Sequence, residues 1–318
     1  MLLERDRDSS QPMADPAFRQ DIIQGLSCSP KSTPPIWFYD RRGSELFEDI
    51  TQLAEYYPTR VETAMLAAHC AEVGALTGPG RAVVEFGAGS AIKTPYLLSA
   101  INPAAYIPVD ISGDFLRESS AALASRFPGL PVVPVEADFT KVVNLPHGIS
   151  AMPKLGFFPG STIGNMTAAE GVDLLRTMRA SLGSGAMLLI GMDRVKDVDT
   201  LVAAYDDAAG VTGQFNMNLL VRINRELGGT IPVDAFTHRA IWNDDAARIE
   251  MHLEALRDID FTVDNCRFSM REGETIHTEN SHKYGPRDAR LLLRAGGWEP
   301  VREWTAPGDM FAMILAQA

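Results

Sequence analysis

Residues 81–93 read RAVVEFGAGSAIK. An apolar run from Ala82 to Phe86 leads into Gly87-Ala88-Gly89, and a helical pattern follows. A strand buried on both faces reads as a near-continuous apolar run. Glycines at its end let a ligand come close to the backbone, and a following helix N-terminus offers unpaired N–H groups. A dinucleotide site would place a third glycine in G-x-G-x-x-G, and Ile92 occupies that position, which disfavours a nicotinamide pyrophosphate.

The same rhythm continues downstream. Apolar runs at 105–111 (AYIPVDI), 130–138 (LPVVPVEAD), 154–162 (KLGFFPGST) and 186–193 (AMLLIGMD) alternate with helical patterns. Alternation of this kind predicts βαβ units and an α/β, doubly wound, Rossmann-like parallel sheet. Residues 196–283 break the pattern. Two helical stretches, 198–210 and 212–227, precede segments of period two. In RIEMHLEAL, Ile249, Met251 and Leu253 share one face, and Arg248, Glu250 and His252 share the other. This block reads as an inserted α+β substrate-binding domain. A helix at 286–297 and two strands around Pro307-Gly308 then resume the sheet. The expected division is a sheet domain at 61–195 and 284–318, a second domain at 16–60 and 196–283, and a loose tail at 1–15.

Composition narrows the function. The 318 residues are 46% hydrophobic and 22% charged, as in a globular protein with a full core. The net charge of −12, without a basic stripe, argues against nucleic acid. Cys28, Cys70 and Cys266 are far apart and odd in number, so neither a disulfide framework nor a metal site is expected. MLLERDRDSS carries no apolar leader core, and no run of eighteen apolar residues occurs. The expectation is a cytoplasmic monomer acting on a small molecule, away from membranes.

The strand ends carry the chemistry. E-x-G-x-G at Glu85–Gly89 resembles the loop that binds S-adenosylmethionine. Asp110, about twenty residues later, can accept from both ribose hydroxyls. Asp138 and Phe139 suit the adenine, the carboxylate taking the amine and the ring packing on the base. Lys93 is placed to meet the cofactor's methionine carboxylate.

The segments PKSTPPIWFYDRRGSELFEDITQLAEYYPTR (30–60), GSTIGN (160–165), AYDDAAGVT (204–212), RIEM (248–251) and IHTENSHKY (276–284) resemble the histidine N-α-methyltransferases of ergothioneine biosynthesis. That resemblance covers nearly the whole chain after residue 15. It implies a class I methyltransferase fold and methylation, up to three times, of the α-amino group of histidine. It implies that Asn165 and Tyr205 hold the amine, that Tyr56 lies near the methyl donor, and that Tyr39 helps to hold the carboxylate. Gly160 and Thr162 would form the floor, Glu279 and Ser281 would bind the imidazole, and Met251 would pack beside it. Two apart on a strand, Glu279 and Ser281 share a face and can address the two distinct ring nitrogens. Asn280-Ser281-His282-Lys283 departs from the family pattern and borders that pocket. Tyrosine or tryptophan as the methylated amino acid, and a non-catalytic sensor of S-adenosylmethionine or an amino acid, remain the alternatives. An unprotonated amine attacking an activated sulfonium methyl needs placement more than a strong base.

Overall fold

The computed structural model describes residues 15–89 and 91–318. The tail expected at 1–15 lies outside them, apart from Asp15, which accepts from the Ala17 N–H at 2.8 Å and caps the first helix. The first half of the chain contains α1 (Pro16–Ser27), β1 (Lys31–Ser32), α2 (Arg41–Gln52), α3 (Tyr57–Thr77), β2 (Ala82–Phe86), α4 (Thr94–Ile101), β3 (Ala105–Asp110), α5 (Gly113–Arg126), β4 (Val135–Glu136) and β5 (Lys154–Phe158). The second half contains α6 (Ala168–Leu182), β6 (Met187–Asp193), α7 (Val198–Ala203), α8 (Val211–Leu227), β7 (Phe236–Asn243), β8 (Arg248–Ala255), β9 (Ile259–Val263), β10 (Cys266–Met270), β11 (Thr275–His282), α9 (Pro286–Ala295), β12 (Glu299–Thr305) and β13 (Phe311–Gln317). No helix of the described residues is long and apolar enough to cross a membrane.

Seven strands form one sheet in the order β12-β13-β6-β5-β2-β3-β4. β2 to β6 run parallel, and β13 runs antiparallel to both β6 and β12. This is the class I methyltransferase arrangement. The chain winds outward from β2 through β3 to β4, then returns to the other side of β2 with β5. Ligands bind at such a switch point, beyond the carboxyl ends of the strands. The β4 run is much shorter than the sequence suggested. Only Val135–Glu136 pairs as a strand, with a single bridge from Val132 to Tyr106. Pro131 and Pro134 cannot donate to a ladder, so this run survives only at the sheet edge.

The second sheet has the order β1-β11-β8-β7, with β9 and β10 forming a separate hairpin. Ile249, Met251 and Leu253 of β8 are buried, as their alternation predicts. The opposite face is less open than expected. Glu250 is buried and bound by Arg248, by Asn243 at 2.8 Å and by His252 at 3.1 Å. The helix expected over 198–210 stops at Ala203. Asp207 then accepts from the N–H groups of Val211 (2.9 Å) and Thr212 (2.8 Å), at the first turn of α8.

Three apolar cores result. The buried members of one lie between residues 18 and 57 and between 201 and 276, and include Phe215 and Leu219 of α8 and Ile249 and Met251 of β8. The other two cover the faces of the seven-stranded sheet. On one face α6 and α9 supply Leu175 and Leu293, and on the other α3 and α4 supply Leu66 and Leu97. Trp298, fully buried against the first of these faces, donates its indole N–H to the Leu175 carbonyl at 2.9 Å. Trp298→Ala should cost about 3–5 kcal/mol through the lost ring and the cavity it leaves. A urea unfolding curve measures this, and a loss below about 1 kcal/mol would contradict the packing described.

Candidate active site

The loop after β2 needs left-handed backbone. Gly87 has φ +73° and Gly89 has φ +48°, a region glycine enters without a Cβ penalty. A Cβ on Gly87 would also touch the Phe139 ring at 3.4 Å. Asp110, the last residue of β3, accepts from the N–H groups of Gly89 at 3.1 Å and Ser112 at 2.9 Å. The glycine loop therefore fixes the carboxylate that faces the crevice. α4 begins only at Thr94, so the backbone facing the crevice is that of the loop and not of the helix. Asp138 is held by Thr140 N–H at 3.0 Å and by Lys141 at 3.0 Å. Burial alone would raise its carboxyl, and the bonds from Thr140 and Lys141 hold it below the usual range. Phe139 packs edge-on to Phe158, with centroids 5.8 Å apart.

Gly87, Gly89, Lys93, Asp110, Asp138, Phe139 and Tyr56 all line one cavity of about 430 Å³. Its charge set and aromatic wall fit a nucleoside joined to an amino acid. Lys93 is not free, because its ammonium is bonded to Glu62. Glu62 is buried and also accepts from Gly160 N–H at 2.8 Å. A cofactor carboxylate would share Lys93 with that acid.

A smaller chamber of about 60 Å³ adjoins the first. Tyr39, Phe47, Tyr56, Gly160, Thr162 and Asn165 line both. Tyr205, Met251, Glu279 and Ser281 close the far side of the smaller one. Every residue expected from the sequence to face cofactor or substrate thus lies on one continuous space. It runs from the ends of β2, β3 and β5 to the inner face of β8 and β11. Tyr39 follows a turn at Pro35–Phe38, Tyr56 precedes α3, and Thr162–Asn165 form one helical turn after β5.

Tyr39, Tyr56, Asn165 and Glu279 are among the polar side chains that reach this space without a hydrogen bond to any described residue, and the buried Thr212 hydroxyl is another. Burial pushes the phenols of Tyr39 and Tyr56 well above the ordinary range, so both stay protonated. Burial pushes the Glu279 carboxyl up to about 7, against the opposing charge of Lys283. Tyr205 is differently placed. Its hydroxyl lies 2.7 Å from Ser281 Oγ and accepts from Lys283 at 3.0 Å. The expectation that it joins Asn165 on the amine thus meets a hydroxyl already bonded twice.

Sequence reasoning missed Phe47, Glu62, Phe215 and Lys283. Glu62 had a readable signal, since it interrupts the apolar stripe of α3 formed by Pro58, Met65, Leu66 and Val73. Outside the cavities, Glu250, His252 and His277 could approach a common ion. The two imidazoles instead stack at 4.7 Å and 20°, which sets their in-plane lone pairs side by side.

A family model described as histidine-specific methyltransferase, SAM-dependent, matches residues 18–318. The chain belongs to this family. The histidine N-alpha-methyltransferase of Mycolicibacterium smegmatis is 41% identical over 312 residues, covering 94% of each chain. That of Mycobacterium tuberculosis is 40% identical with the same coverage. The 4-dimethylallyltryptophan N-methyltransferase of Claviceps purpurea is 25% identical, covering 91% of each chain. The histidine-specific methyltransferase family depends on S-adenosylmethionine, and the larger cavity offers it an acid at each of two strand ends. Asp110→Ala should weaken S-adenosylmethionine binding by about 10- to 100-fold, as loss of a charged hydrogen-bonding partner would. Isothermal titration measures it, and unchanged affinity would remove Asp110 from the cofactor site.

Proposed function

We propose that this chain transfers the methyl group of S-adenosylmethionine to the α-amino nitrogen of L-histidine, and that repeated transfer gives hercynine. The observation that carries the reading is Glu279 with Ser281. They stand two apart on β11, both face the small chamber, and the buried carboxylate has no protein donor among the described residues. A buried acid left without a partner is costly, and a ring N–H would complete it. The names of the relatives from Mycolicibacterium smegmatis and Mycobacterium tuberculosis support the same substrate.

Mechanism follows from placement. S-adenosylmethionine, when bound, supplies an activated sulfonium methyl. Asp110, Asp138 and Phe139 would hold its nucleoside, and the loop at Gly87–Gly89 would lie along it. Asn165, at the seam of the two cavities, offers a carbonyl acceptor and an amide donor to the amine and carboxylate. Tyr39 and Tyr56, kept protonated by burial, can donate or accept hydrogen bonds and do not act as bases at neutral pH. The α-amino group has an ordinary pKa of about 8, so an unprotonated fraction exists without a dedicated base. Aromatic faces of Tyr39, Phe47 and Tyr56 surround the junction, and such faces favour sulfonium and alkylammonium charge. Holding amine and methyl in line is worth roughly 7–11 kcal/mol.

The direct test incubates the purified protein with S-adenosylmethionine and each of the twenty amino acids, read by mass spectrometry. Histidine alone should gain up to three methyl groups. Methylation of tyrosine or tryptophan instead would overturn the substrate, and tight cofactor binding without product from any amino acid would favour a sensor.

Glu279 also gives a pH dependence. Its raised carboxyl is protonated below about 7 and becomes an acceptor above it. The kcat/KM for histidine should therefore rise with pH through about 7 and rise again as the amine loses its proton. Glu279→Gln should shrink the lower step to the part set by the imidazole of free histidine and keep the upper one. Glu279→Ala should reduce kcat/KM for histidine more than for amino acids with apolar side chains, and an equal loss for all would place Glu279 outside the site.

A further inference from the structure

Lys283 continues the alternation of Glu279 and Ser281, one step beyond β11. Its side chain is fully buried. An ammonium has three N–H donors and no acceptor, and here three partners lie within reach. Lys283 Nζ donates to Ser281 Oγ at 2.7 Å and to the Tyr205 hydroxyl at 3.0 Å, and forms an ion pair with Asp193 Oδ2 at 2.9 Å. Asp193 answers the charge, and the two hydroxyls take hydrogen bonds from the ammonium.

This arrangement constrains the two hydroxyls. Ser281 Oγ and the Tyr205 hydroxyl are 2.7 Å apart, so one donates to the other. A hydroxyl has one proton and two lone pairs. The hydroxyl that receives from both Lys283 and its neighbour has no lone pair left, only its O–H. The pair therefore offers the chamber a donor. The phenol is the stronger acid, so it donates to Ser281, and the Ser281 O–H is left for a ligand. Glu279, two residues away on the same face of β11, lines the same chamber and offers a carboxylate acceptor, without a competing protein donor among the described residues.

We infer that Lys283, anchored by Asp193, is a positioning residue that sets the polarity of the chamber, a hydroxyl donor beside a carboxylate acceptor. The site thereby selects an uncharged ring with one N–H and one bare nitrogen: neutral imidazole in a single tautomer. The inference rests on the histidine reading and specifies which form of the side chain is bound. An imidazolium would turn a second N–H against the Ser281 O–H. An indole would satisfy Glu279 and leave the Ser281 donor unpaired. Both leave a buried group unsatisfied, which is the stronger source of discrimination in an enclosed site.

Two measurements test this. Lys283→Met keeps most of the length of the side chain and removes the charge and all three donors. Its kcat/KM for histidine should fall about 10- to 100-fold, as for the loss of charge-assisted bonds. Its kcat/KM for 3-(2-thienyl)alanine, which has no ring nitrogen, should change less than about threefold, a structural loss being expected to act on both alike. Affinity for S-adenosylmethionine, measured on the same variant, should be preserved. Equal losses for the two amino acids overturn the inference. If the variant does not fold, the wild-type protein decides. With S-adenosylhomocysteine and ¹⁵N-labelled histidine at pH 7.5, where the Glu279 carboxyl, raised to about 7, is mostly ionised and would favour an imidazolium if the chamber accepted one, the bound ring should show one protonated and one bare nitrogen by NMR. Two protonated nitrogens overturn it. Failure of wild-type protein to methylate or bind histidine would instead sink the substrate reading on which the inference stands.

Discussion

The carboxylate of Asp193 is the point on which the site depends. It ends β6 of the large sheet, fully buried, and takes Lys283 at 2.9 Å, Lys196 at 2.6 Å and the Tyr57 hydroxyl at 2.6 Å. Burial alone would raise its carboxyl, and the charges of Lys283 and Lys196 hold it below the ordinary range. Its backbone is used as fully. Asp193 N–H donates to Ser161 Oγ at 2.8 Å, and its carbonyl accepts from Tyr284 N–H at 2.8 Å. One residue thus ties together β6, the start of α3, the floor loop after β5 and the exit of β11. Removing one partner of a buried ion pair strands the other and costs about 3–5 kcal/mol. The joint between the large sheet and the smaller one is therefore stiff, and the two cavities meet at that joint.

Glu62 plays the corresponding part on the cofactor side. Buried in α3, it binds Lys93 beyond the glycine loop and Gly160 at the substrate floor. Gly191 of β6 makes room for it, since a Cβ there would lie 2.0 Å from Glu62 Oε1. The two acids divide the work. Glu62 sets the distance between the cofactor loop and the floor, and Asp193 sets the wall opposite. A transfer that gains its rate from alignment needs both spacings fixed before either ligand arrives.

Much of this was readable from the residues. The strands of the large sheet announce themselves as apolar runs because helices cover both faces, and the alternation in RIEMHLEAL gives the inward face of β8. The failures share a cause: tertiary neighbours overrode a local pattern. LPVVPVEAD has the apolar content of a strand, but its prolines leave it two paired residues at an edge. AYDDAAGVT looks helical, yet Asp207 spends its carboxylate on the N–H groups that open α8. Lys283 was the hardest to see, since a lysine beside a histidine at a strand end reads as a solvated residue. Only its position on the Glu279-Ser281 face hinted otherwise, and the partner that explains its burial is ninety residues earlier in the chain.

The arrangement also bears on how one site could methylate the same nitrogen more than once. Each transfer removes an N–H donor from the amine, so contacts that accept from the amine weaken as the reaction proceeds. The contacts at the other end of the chamber do not change. In the proposed complex Glu279 and the Ser281–Tyr205 pair would face a ring that no methyl transfer alters, and Lys283 and Asp193 bind that pair from behind. The growing ammonium instead gains van der Waals and cation–π contact with the aromatic wall of Tyr39, Phe47 and Tyr56. Anchoring at the side chain and tolerance at the amine together permit successive transfers, and they place the demand for specificity on the part of the substrate that is not reacting.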